Sequence, residues 1–424
     1  MVLPSWARLK AELPERKPLL WVFDMMSEVL RAQPILIEGA PDGISALRSH
    51  WEAEETFAYI PQKSSVPRDW VADCLNHLPE EYRKDHFCLL TSGSTGNPKL
   101  VVGRKQRSER LAVVLHEVQR SEPVRETIVS LPLTYCYAFV NQWLWSKVFG
   151  RRLLPTHGFS QPDVFLEALK NSSEAMLCLV GPQVTLLTQM FGGKSFPGVI
   201  RVHFAGGRFP QERVHLLGDM FPNAKIFNNY GCAEAMPRLT LRLAEDGDQA
   251  ADIGLPLPGV QLKTNEAGQL FFLSDYRGVA QIDVSGFRAI ADDEWMPSGD
   301  LAEKCENNHW QLLGRTGEVF KRYGEKIALP QILATVNEHW NGQVGYYREK
   351  DGAGEDGYVL VLSPVPPEDQ IRLLLRAFRA SHPRTHWPLR IESTAALPLL
   401  ANEKVNSLAL KDIEGKSTHW RQRI

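Results

Sequence analysis

Cysteine is scarce in this sequence, with six residues among 424, and no two of them have the Cys-x-x-Cys spacing. The scattered thiols give no metal-like pattern and predict a reduced, intracellular protein with mostly buried thiols. The chain also lacks an apolar run of the ~18 residues that a membrane span requires. Its N-terminal stretch, MVLPSWARLKAELPERK, lacks the apolar core of a signal peptide. We therefore expect a cytoplasmic protein.

An excess of one charge is absent as well, because 48 basic residues stand against 50 acidic ones, for a net charge of −2. This balance gives no reason to expect nucleic acid or an anionic membrane as a partner. Hydrophobic residues make up 43% and charged residues 23%, which is typical of a globular protein. The length predicts two or three domains.

Short apolar runs alternate with amphipathic stretches between about residues 86 and 310. The runs predict buried strands that end in Gly-, Pro- or Ser-rich turns: HFCLLTSGSTG, ETIVSLPL, AMLCLVGP, VIRVHFAGG and AKIFNNYG. The stretches between them predict helices: SERLAVVLHEVQRS, QPDVFLEALKNS and PQERVHLLGDMF. This alternation predicts α/β layers with sites at the carboxyl ends of strands.

The two ends of the chain differ from this central pattern. Residues 19–37 have apolar residues at helical spacing, and the strand-like PILIEG closes that region. Residues 259–290 predict a β-meander. Beyond Gly314 the sequence predicts helices at 330–340 and 367–380, a strand at 358–363 and a charged tail, so we place a domain boundary at 314–317.

The segment HFCLLTSGSTGNPKL joins a predicted strand to hydroxyls, glycines and one lysine. Glycines let backbone N–H groups face an anion, while Ser92, Ser94 and Thr95 supply donors and Lys99 supplies a positive charge. The composition is that of a phosphate-binding loop, but the Gly-Lys-Ser/Thr ending of a Walker A loop is missing. An ordinary turn with a solvated lysine is the alternative.

This run resembles the signature loop of the adenylate-forming superfamily, T-S-G-[ST]-T-G-x-P-K-G, with Leu100 in place of the last glycine. The superfamily contains acyl- and aryl-CoA ligases, adenylation domains of peptide synthetases and luciferases. The resemblance implies an ATP-binding loop made of Thr91, Ser92, Gly93, Ser94, Thr95, Gly96 and Lys99.

Phe227 to Ala235 (FNNYGCAEA) resembles the family's Tyr-Gly-x-Thr-Glu segment. The resemblance implies that Tyr230 lies against adenine, with Asn229 and Gly231 beside it. It also implies that Glu234 holds Mg²⁺ between phosphates, as an oxygen ligand suits a hard cation. Ala233 replaces the usual hydroxyl residue. His203 to Arg208 (HFAGGR) resembles the glycine turn that borders adenine and the acid, which adds Gly206.

Ser298-Gly299-Asp300 resembles the S/T-G-D segment, whose aspartate accepts hydrogen bonds from ribose. LLGRTGEVFKRYGEKI follows it and resembles G-R-x-D-D-x-I-K-x-x-G-x-R-I, which makes Arg315 a second ribose or phosphate contact. Gly317 stands at the hinge position, where the family carries Asp or Lys. Glycine leaves a swivel easy there but does not set its resting angle.

ALPLLANEKVNSLALKD resembles the C-terminal L-P-x-T-x-x-G-K-V-x-R motif and places Lys404 on the catalytic lysine. That lysine bridges the carboxylate and the α-phosphate, which is a transition-state role. Glu403 and Ser407 replace the family's glycine and arginine. A solvated lysine in a polar tail is the alternative interpretation.

The acid pocket is expected along Ser130 to Trp145 (SLPLTYCYAFVNQWLW), which resembles the family's P-L-x-H/Y-x-Y/F-G stretch. Tyr135 would gate the pocket and Ala138 would narrow it, with His203 and Gly207 facing it and Asn141 as a further candidate. A helix packed on the sheet is the alternative. No aspartate for an α-amine occurs between residues 120 and 145, so an acyl or aryl acid is favoured over an amino acid.

The resemblance thus implies an α/β N-terminal domain, residues 1–313, a hinge at 314–317 and an α+β lid at 318–424. Since the phosphate loop begins at residue 91, we expect the N-terminal part of the family fold to be shortened. The expected activity is ATP- and Mg²⁺-dependent activation of a carboxylic acid, followed by transfer to CoA or to the phosphopantetheine of an acyl carrier protein. An amino-acid adenylation protein and a non-catalytic nucleotide-binding relative are the alternatives.

Overall fold

The computed structural model describes residues 33–398 and 405–422, apart from residues 41, 42, 63, 65, 93–97, 182 and 208. At residues 92, 326 and 408 only the backbone is described. The helical pattern predicted from Leu19 to Leu30 therefore lies outside the described residues, and PILIEG contains the strand Ile35–Ile37, as expected.

The strands of the described part are, in chain order, β1 Ile35–Ile37, β2 Phe57–Ile60, β3 His86–Ser92, β4 Pro98–Arg104, β5 Glu126–Val129, β6 Arg152–Pro155, β7 Ala175–Val180, β8 Val199–Ala205, β9 Lys225–Tyr230, β10 Thr240–Leu243, β11 Asp252–Pro256, β12 Val260–Thr264, β13 Gln269–Ser274, β14 Ala280–Asp283, β15 Gly286–Ala289, β16 Met296–Lys304, β17 Trp310–Arg315, β18 Val319–Arg322, β19 Glu325–Ala328, β20 Gln343–Lys350, β21 Asp356–Ser363, β22 Arg390–Ser393 and β23 Ser417–Arg421.

The helices are α1 Gly43–Glu52, α2 Arg68–Asn76, α3 Lys105–Val118, α4 (Cys136–Ala138, a π-helical Phe139–Leu144 and Trp145–Phe149 in succession), α5 Pro162–Asn171, α6 Gln183–Phe191, α7 Val214–Met220, α8 Leu329–His339, α9 Glu368–Ser381 and α10 Ser407–Asp412. Proline occupies the first turn of α5 and α8, where its missing N–H costs nothing. In the described part, no helix combines the length and apolar character needed to cross a membrane.

The largest sheet has eleven strands in the order β12-β13-β16-β17-β11-β10-β9-β8-β7-β5-β6. Strands β9, β8, β7, β5 and β6 are mutually parallel, whereas β10 and the strands beyond it are antiparallel. The parallel strands therefore bring their carboxyl ends to one edge, as predicted for a site in an α/β fold.

A second sheet has the order β1-β2-β3-β4-β14-β15. Its first three strands are parallel, and β4 returns antiparallel to β3, so the phosphate-loop segment connects the two strands of a hairpin. An aromatic cluster packs between this sheet and α4, with ring centroids 5.1 Å apart for Trp51 and Phe87 and 5.2 Å apart for Phe87 and Phe139. Burial of each such ring stabilises the fold by about 1.5–3 kcal/mol.

The chain beyond Arg315 forms the hairpin β18-β19 and a four-stranded sheet in the order β20-β21-β22-β23. Helices α8 and α9 match the predicted helices at 330–340 and 367–380, and β21 contains the strand predicted at 358–363. Helix α9 buries Ile371, Leu374 and Phe378, which lie on one face. The tail, predicted only as charged, also contains α10 and β23.

The predicted strands of the central region are all present, and the α/β class is confirmed. One helix is shorter than the sequence indicated: in PQERVHLLGDMF, residues Gln211–Arg213 form a 3-10 turn and the α-helix starts at Val214. The six cysteines are all free, and three of them, Cys88, Cys136 and Cys178, are buried.

Candidate active site

Two of the predicted site glycines directly follow parallel strands of the large sheet. Strand β8 ends at Ala205 before Gly206, and β9 ends at Tyr230 before Gly231. Gly206 has φ +77°, and a Cβ atom there would come 2.4 Å from the Tyr135 hydroxyl. A side chain is also excluded at Gly231, because a Cβ atom there would lie 1.8 Å from the Pro237 carbonyl oxygen. Only glycine fits either position.

The two strands flanking the phosphate loop hold its ends in register. Thr91 is paired with Lys99 and Ser92 with Pro98, and the Thr91 hydroxyl donates to the Lys99 carbonyl at 3.4 Å. The predicted loop residues Gly93, Ser94, Thr95 and Gly96 lie outside the described residues.

Lys99 reaches across to the Tyr-Gly-x-x-Glu segment. Its Nζ lies 3.2 Å from Glu234 Oε1, although the two residues are 135 positions apart. Both side chains keep about a quarter of their surface exposed, at 26% and 22%. Glu234 sits in the 3-10 turn Ala233–Ala235, and Ala233 offers no hydroxyl. The fold thus brings the expected phosphate-binding cation and the expected metal-binding carboxylate together.

A second polar chain joins β9 to the end of the large sheet. The Tyr230 hydroxyl donates to Asp300 Oδ2 at 2.6 Å, and Arg315 Nε donates to Asp300 Oδ1 at 3.1 Å. Asp300 and Arg315 are register partners in β16 and β17. Burial raises the pKa of Asp300, and the Arg315 guanidinium opposes the rise. Each Asp300 oxygen has a lone pair left for a further donor.

The predicted acid-pocket residues divide into a surface pair and a buried pair. Tyr135 is partly exposed and Gly207 is exposed, whereas Ala138 and His203 are fully enclosed. Burial raises the pKa of Tyr135 to about 12, so its hydroxyl is neutral. Burial also lowers the pKa of His203 well below its usual range. Asn229 donates to the Tyr137 hydroxyl at 3.2 Å and lies 3.4 Å from His203 Nδ1.

Comparison with protein families gives a match over residues 37–270 to a family described as "AMP-binding enzyme". The chain belongs to the AMP-binding enzyme family. The matched range covers more than half of the chain and contains both the phosphate-loop and the Tyr-Gly-x-x-Glu segments.

Two relatives and one solved structure illustrate the range of this family. A plipastatin synthase of Bacillus subtilis is 22% identical over 364 residues, which is 77% of this chain and 14% of that protein. A D-alanine–D-alanyl carrier protein ligase of Bacillus licheniformis is 22% identical over 77% of this chain and 70% of the ligase. The solved o-succinylbenzoate CoA synthetase of Bacillus subtilis superposes with a TM-score of 0.72 at 16% identity, covering 92% of this chain and 90% of that one. This structural similarity shows that the chain has the same fold as that synthetase.

In this AMP-binding enzyme, the predicted hinge coincides with the change from one sheet to the next. Strand β17 ends at Arg315 and β18 begins at Val319, with Gly317 exposed between them. Glu318 accepts from the Arg315 backbone N–H at 3.2 Å and from the Tyr346 hydroxyl at 2.8 Å. Arg348 donates to the Gly317 carbonyl at 3.3 Å. Strand β20 therefore holds the turn at the predicted hinge, called the hinge turn below.

The sequence reasoning missed two carboxylates that position the site. Glu38, in the strand-like PILIEG, accepts from the backbone N–H of Leu133 and from the Thr134 hydroxyl, and so fixes the turn before Tyr135. Glu318 fixes the hinge turn. The sequence gives one signal for Glu38, because it is a charged residue at the end of a predicted buried strand. It gives no comparable signal for Glu318.

Lys404 lies outside the described residues, so its distance from the cluster is not part of the described geometry. Within the described ranges, no group of three or more His, Cys, Asp or Glu side chains could hold a metal by itself. A single carboxylate such as Glu234 still suits Mg²⁺ that arrives bound to phosphates, since this ion keeps few protein ligands.

Proposed function

We propose that this protein activates a carboxylic acid with ATP and then passes the acyl group to a thiol. In the first step a carboxylate oxygen forms a bond to the α-phosphorus, the bond to the β-phosphate oxygen breaks, and acyl-AMP and pyrophosphate result. In the second step the thiol sulfur attacks the acyl carbon, loses its proton, and AMP leaves. The observation that carries this proposal is the hydrogen-bonded chain Tyr230–Asp300–Arg315 together with the Lys99–Glu234 pair, since Tyr230 and Glu234 belong to one short segment.

The phosphate end of ATP would meet the Lys99–Glu234 pair. Lys99 would turn from Glu234 to the phosphate oxygens, aided by the hydroxyls and N–H groups of Thr91 to Gly96. A magnesium ion entering with ATP would be held by the freed Glu234 and the phosphates, and would supply charge neutralisation. Phosphates could reach Lys99 and the magnesium ion could reach Glu234, because both side chains are partly exposed.

The nucleoside end would be held by residues at the ends of β9 and β16. Asp300 accepts the ribose hydroxyls with its remaining lone pairs, and Arg315 adds a second contact to ribose or phosphate. Tyr230, fixed by its hydrogen bond to Asp300, presents its ring to adenine beside Asn229, Gly206 and Gly231. The protein acts here by positioning.

The lid, residues 318–424, would carry Lys404 to the carboxylate and α-phosphate, where its charge stabilises the transition state. It would then turn about Gly317 to admit the thiol to the N-terminal domain, residues 1–313. The absence of an aspartate before Tyr135 favours an acyl or aryl acid. The names of the relatives, a carrier-protein ligase and a CoA synthetase, support both CoA and carrier-protein phosphopantetheine as acceptors.

Acid-dependent exchange of pyrophosphate into ATP tests the first step, with a panel of aryl, short-chain, long-chain and amino acids. Lys404→Ala should lower exchange by about 100-fold or more while ATP binding is kept, because the lost charge acts in the transition state. Lys411→Ala, an exposed lysine of the same tail, is the control and should keep the activity. Near-normal exchange in Lys404→Ala would remove Lys404 from the mechanism.

The panel also separates the alternatives. Exchange with amino acids alone would make the protein an amino-acid adenylation enzyme. No exchange with any acid, together with intact ATP binding, would make it a non-catalytic relative, to which Ala233, Gly317 and Glu403 would point. A second assay, with CoA and a carrier protein offered in parallel to the preferred acyl-AMP, assigns the thiol.

A further inference from the structure

Arg238 is a fully buried arginine whose hydrogen-bond acceptors among the described residues are all neutral. Its guanidinium donates to Asn141 Oδ1 and, at 2.7 Å, to Asn229 Oδ1. With the Gln119 amide oriented so that its oxygen faces the guanidinium, that oxygen accepts at 2.9 and 3.2 Å. Arg238 Nε has no hydrogen-bond partner among the described residues.

The charge of Arg238 is also uncompensated. None of the carboxylates in the described ranges forms an ion pair with it, and the neighbouring groups that raise its pKa are the Tyr137 hydroxyl and the Cys178 thiol. Burial raises the pKa of both, that of Cys178 to about 12, so both are neutral at pH 7. Burial lowers the pKa of Arg238 only to about 10, so the guanidinium stays charged. A buried charge without a counter-charge is costly.

Arg238 lies next to the proposed acid pocket. Its partner Asn229 also contacts the Tyr137 hydroxyl and His203, and its partner Asn141 donates to the Tyr137 carbonyl at 2.9 Å. The Tyr137 ring is 6.3 Å from that of Tyr135, the residue that lies against Gly206. The Nε2 atom of His203 is buried and unpartnered in the described structure, which leaves a second polar group free here.

The Asn141 contact is held by an irregular stretch of helix. Asn141 lies in the π-helical segment Phe139–Leu144 of α4, a helix form that is common at functional sites. Its neighbour Gln142 has a buried side-chain oxygen without a partner in the described part of the chain.

We propose that the acid activated by this protein carries a second carboxylate, which pairs with Arg238. This inference rests on the proposed function and names its substrate class. The reacting carboxyl group would face the proposed phosphate site, while the second one takes the place of the Asn141 amide on the guanidinium. An acid with a plain apolar chain gains less from this arginine, because it brings no charge to pair with the buried Arg238 guanidinium.

Matched pairs of acids test the proposal in the pyrophosphate exchange assay. Each pair shares one skeleton with one or two carboxyl groups: butanoate and succinate, hexanoate and adipate, benzoate and phthalate. The wild-type protein should favour the diacid of at least one pair by about 100-fold or more in kcat/KM, as a site built for a polar group rejects the analogue without it. Equal or better use of every monoacid would overturn the proposal.

Variants of Arg238 supply the second arm. Arg238→Met should remove the preference by lowering diacid use about 100-fold, with the loss mainly in KM, while use of the matched monoacid stays within a fewfold. Arg238→Lys should keep part of the preference. A parallel loss for both acids in Arg238→Met would show a purely structural arginine, and so would contradict the proposal.

Controls keep this result separate from a failure of folding or of the proposed function. A thermal shift with ATP checks that each variant still folds and binds nucleotide. If Arg238→Met does not fold, the proposal is still tested by the diacid preference of the wild-type protein and by the part of it that Arg238→Lys should keep. If no acid is adenylated, the proposed function fails, and calorimetric binding of the same pairs to the wild-type protein tests Arg238 by itself: preferential binding of no diacid would overturn the inference.

Discussion

Gly206 determines how closely the Tyr135 hydroxyl can approach strand β8. The φ angle of +77° and the 2.4 Å that a Cβ would leave to that hydroxyl both exclude a side chain. We expect Gly206→Ala to lower stability by about 1–3 kcal/mol and to reduce acid activation by displacing Tyr135. Gly218→Ala, in helix α7 with open space around it among the described residues, is the control and should keep full activity. Unfolding curves and exchange rates measure both effects; an unaffected Gly206→Ala would contradict the close contact.

His203 makes stability depend on pH. Its pKa is depressed in the folded protein, so between pH 7 and 5 the unfolded chain binds a proton at this residue that the folded chain does not. Stability therefore falls as pH decreases in this range, by up to about 1.4 kcal/mol per pH unit. His203→Gln should flatten the slope of unfolding free energy against pH, whereas His215→Gln, at an exposed residue, should not. An unchanged slope in His203→Gln would assign the dependence to other groups.

At the scale of elements, the sequence was a good guide where the pattern was local. The strands of the central region and helices α8 and α9 follow from apolar runs and periodicity. Pairings between distant segments could not be read in this way: β14 joins β4 across almost 180 residues, and its contacts depend on the whole sheet. The π-helical part of α4 was equally hidden, since its sequence also fits an α-helix.

In the candidate site, too, local motifs were predicted from the sequence and contacts between distant residues were not. Motif resemblance predicted Lys99, Glu234, Asp300 and Arg315 as site residues. The fold joins them into two ion pairs, Lys99 with Glu234 and Arg315 with Asp300. It did not select Glu38 or Glu318, because each acts through a backbone N–H or a hydroxyl that only the folded chain brings near.

The hinge turn is the element whose mobility can be tested most directly. The Tyr346 hydroxyl donates to Glu318 at 2.8 Å, while the neighbouring Tyr347 hydroxyl donates to Glu392 inside the C-terminal sheet. Tyr346→Phe should lower the hydrogen-exchange protection of residues 316–318 about fivefold, because one hydrogen bond of about 1 kcal/mol is lost. Tyr347→Phe is the matched control and should leave the hinge amides unchanged. Equal protection in the two variants would show that Glu318 does not hold the turn.

At the scale of the whole molecule, the apolar clusters of the described residues divide at the predicted hinge. Among the described residues, the cluster of Trp51 and Phe139 and the cluster of Phe204 contain none beyond Leu312, and the clusters of Phe378 and Leu410 contain none before Phe320. Each part therefore has its own core, and motions between the parts are the expected behaviour.

This separation predicts two calorimetric transitions rather than one. AMP at 100 times its dissociation constant should stabilise the larger unit by about 2.7 kcal/mol, because the residues proposed to bind it lie there. Asp300→Asn should abolish most of this stabilisation while the smaller transition stays in place. A single transition with equal calorimetric and van't Hoff enthalpies would contradict independent cores.

The ion pair between Lys99 and Glu234 has a consequence for how tightly phosphates bind under the proposed function. Phosphates that enter would have to separate the two side chains, whether they arrive on ATP or as pyrophosphate. The free energy of that separation would be subtracted from the affinity of both ligands, so the pair would weaken the binding of both without favouring either direction of the reaction.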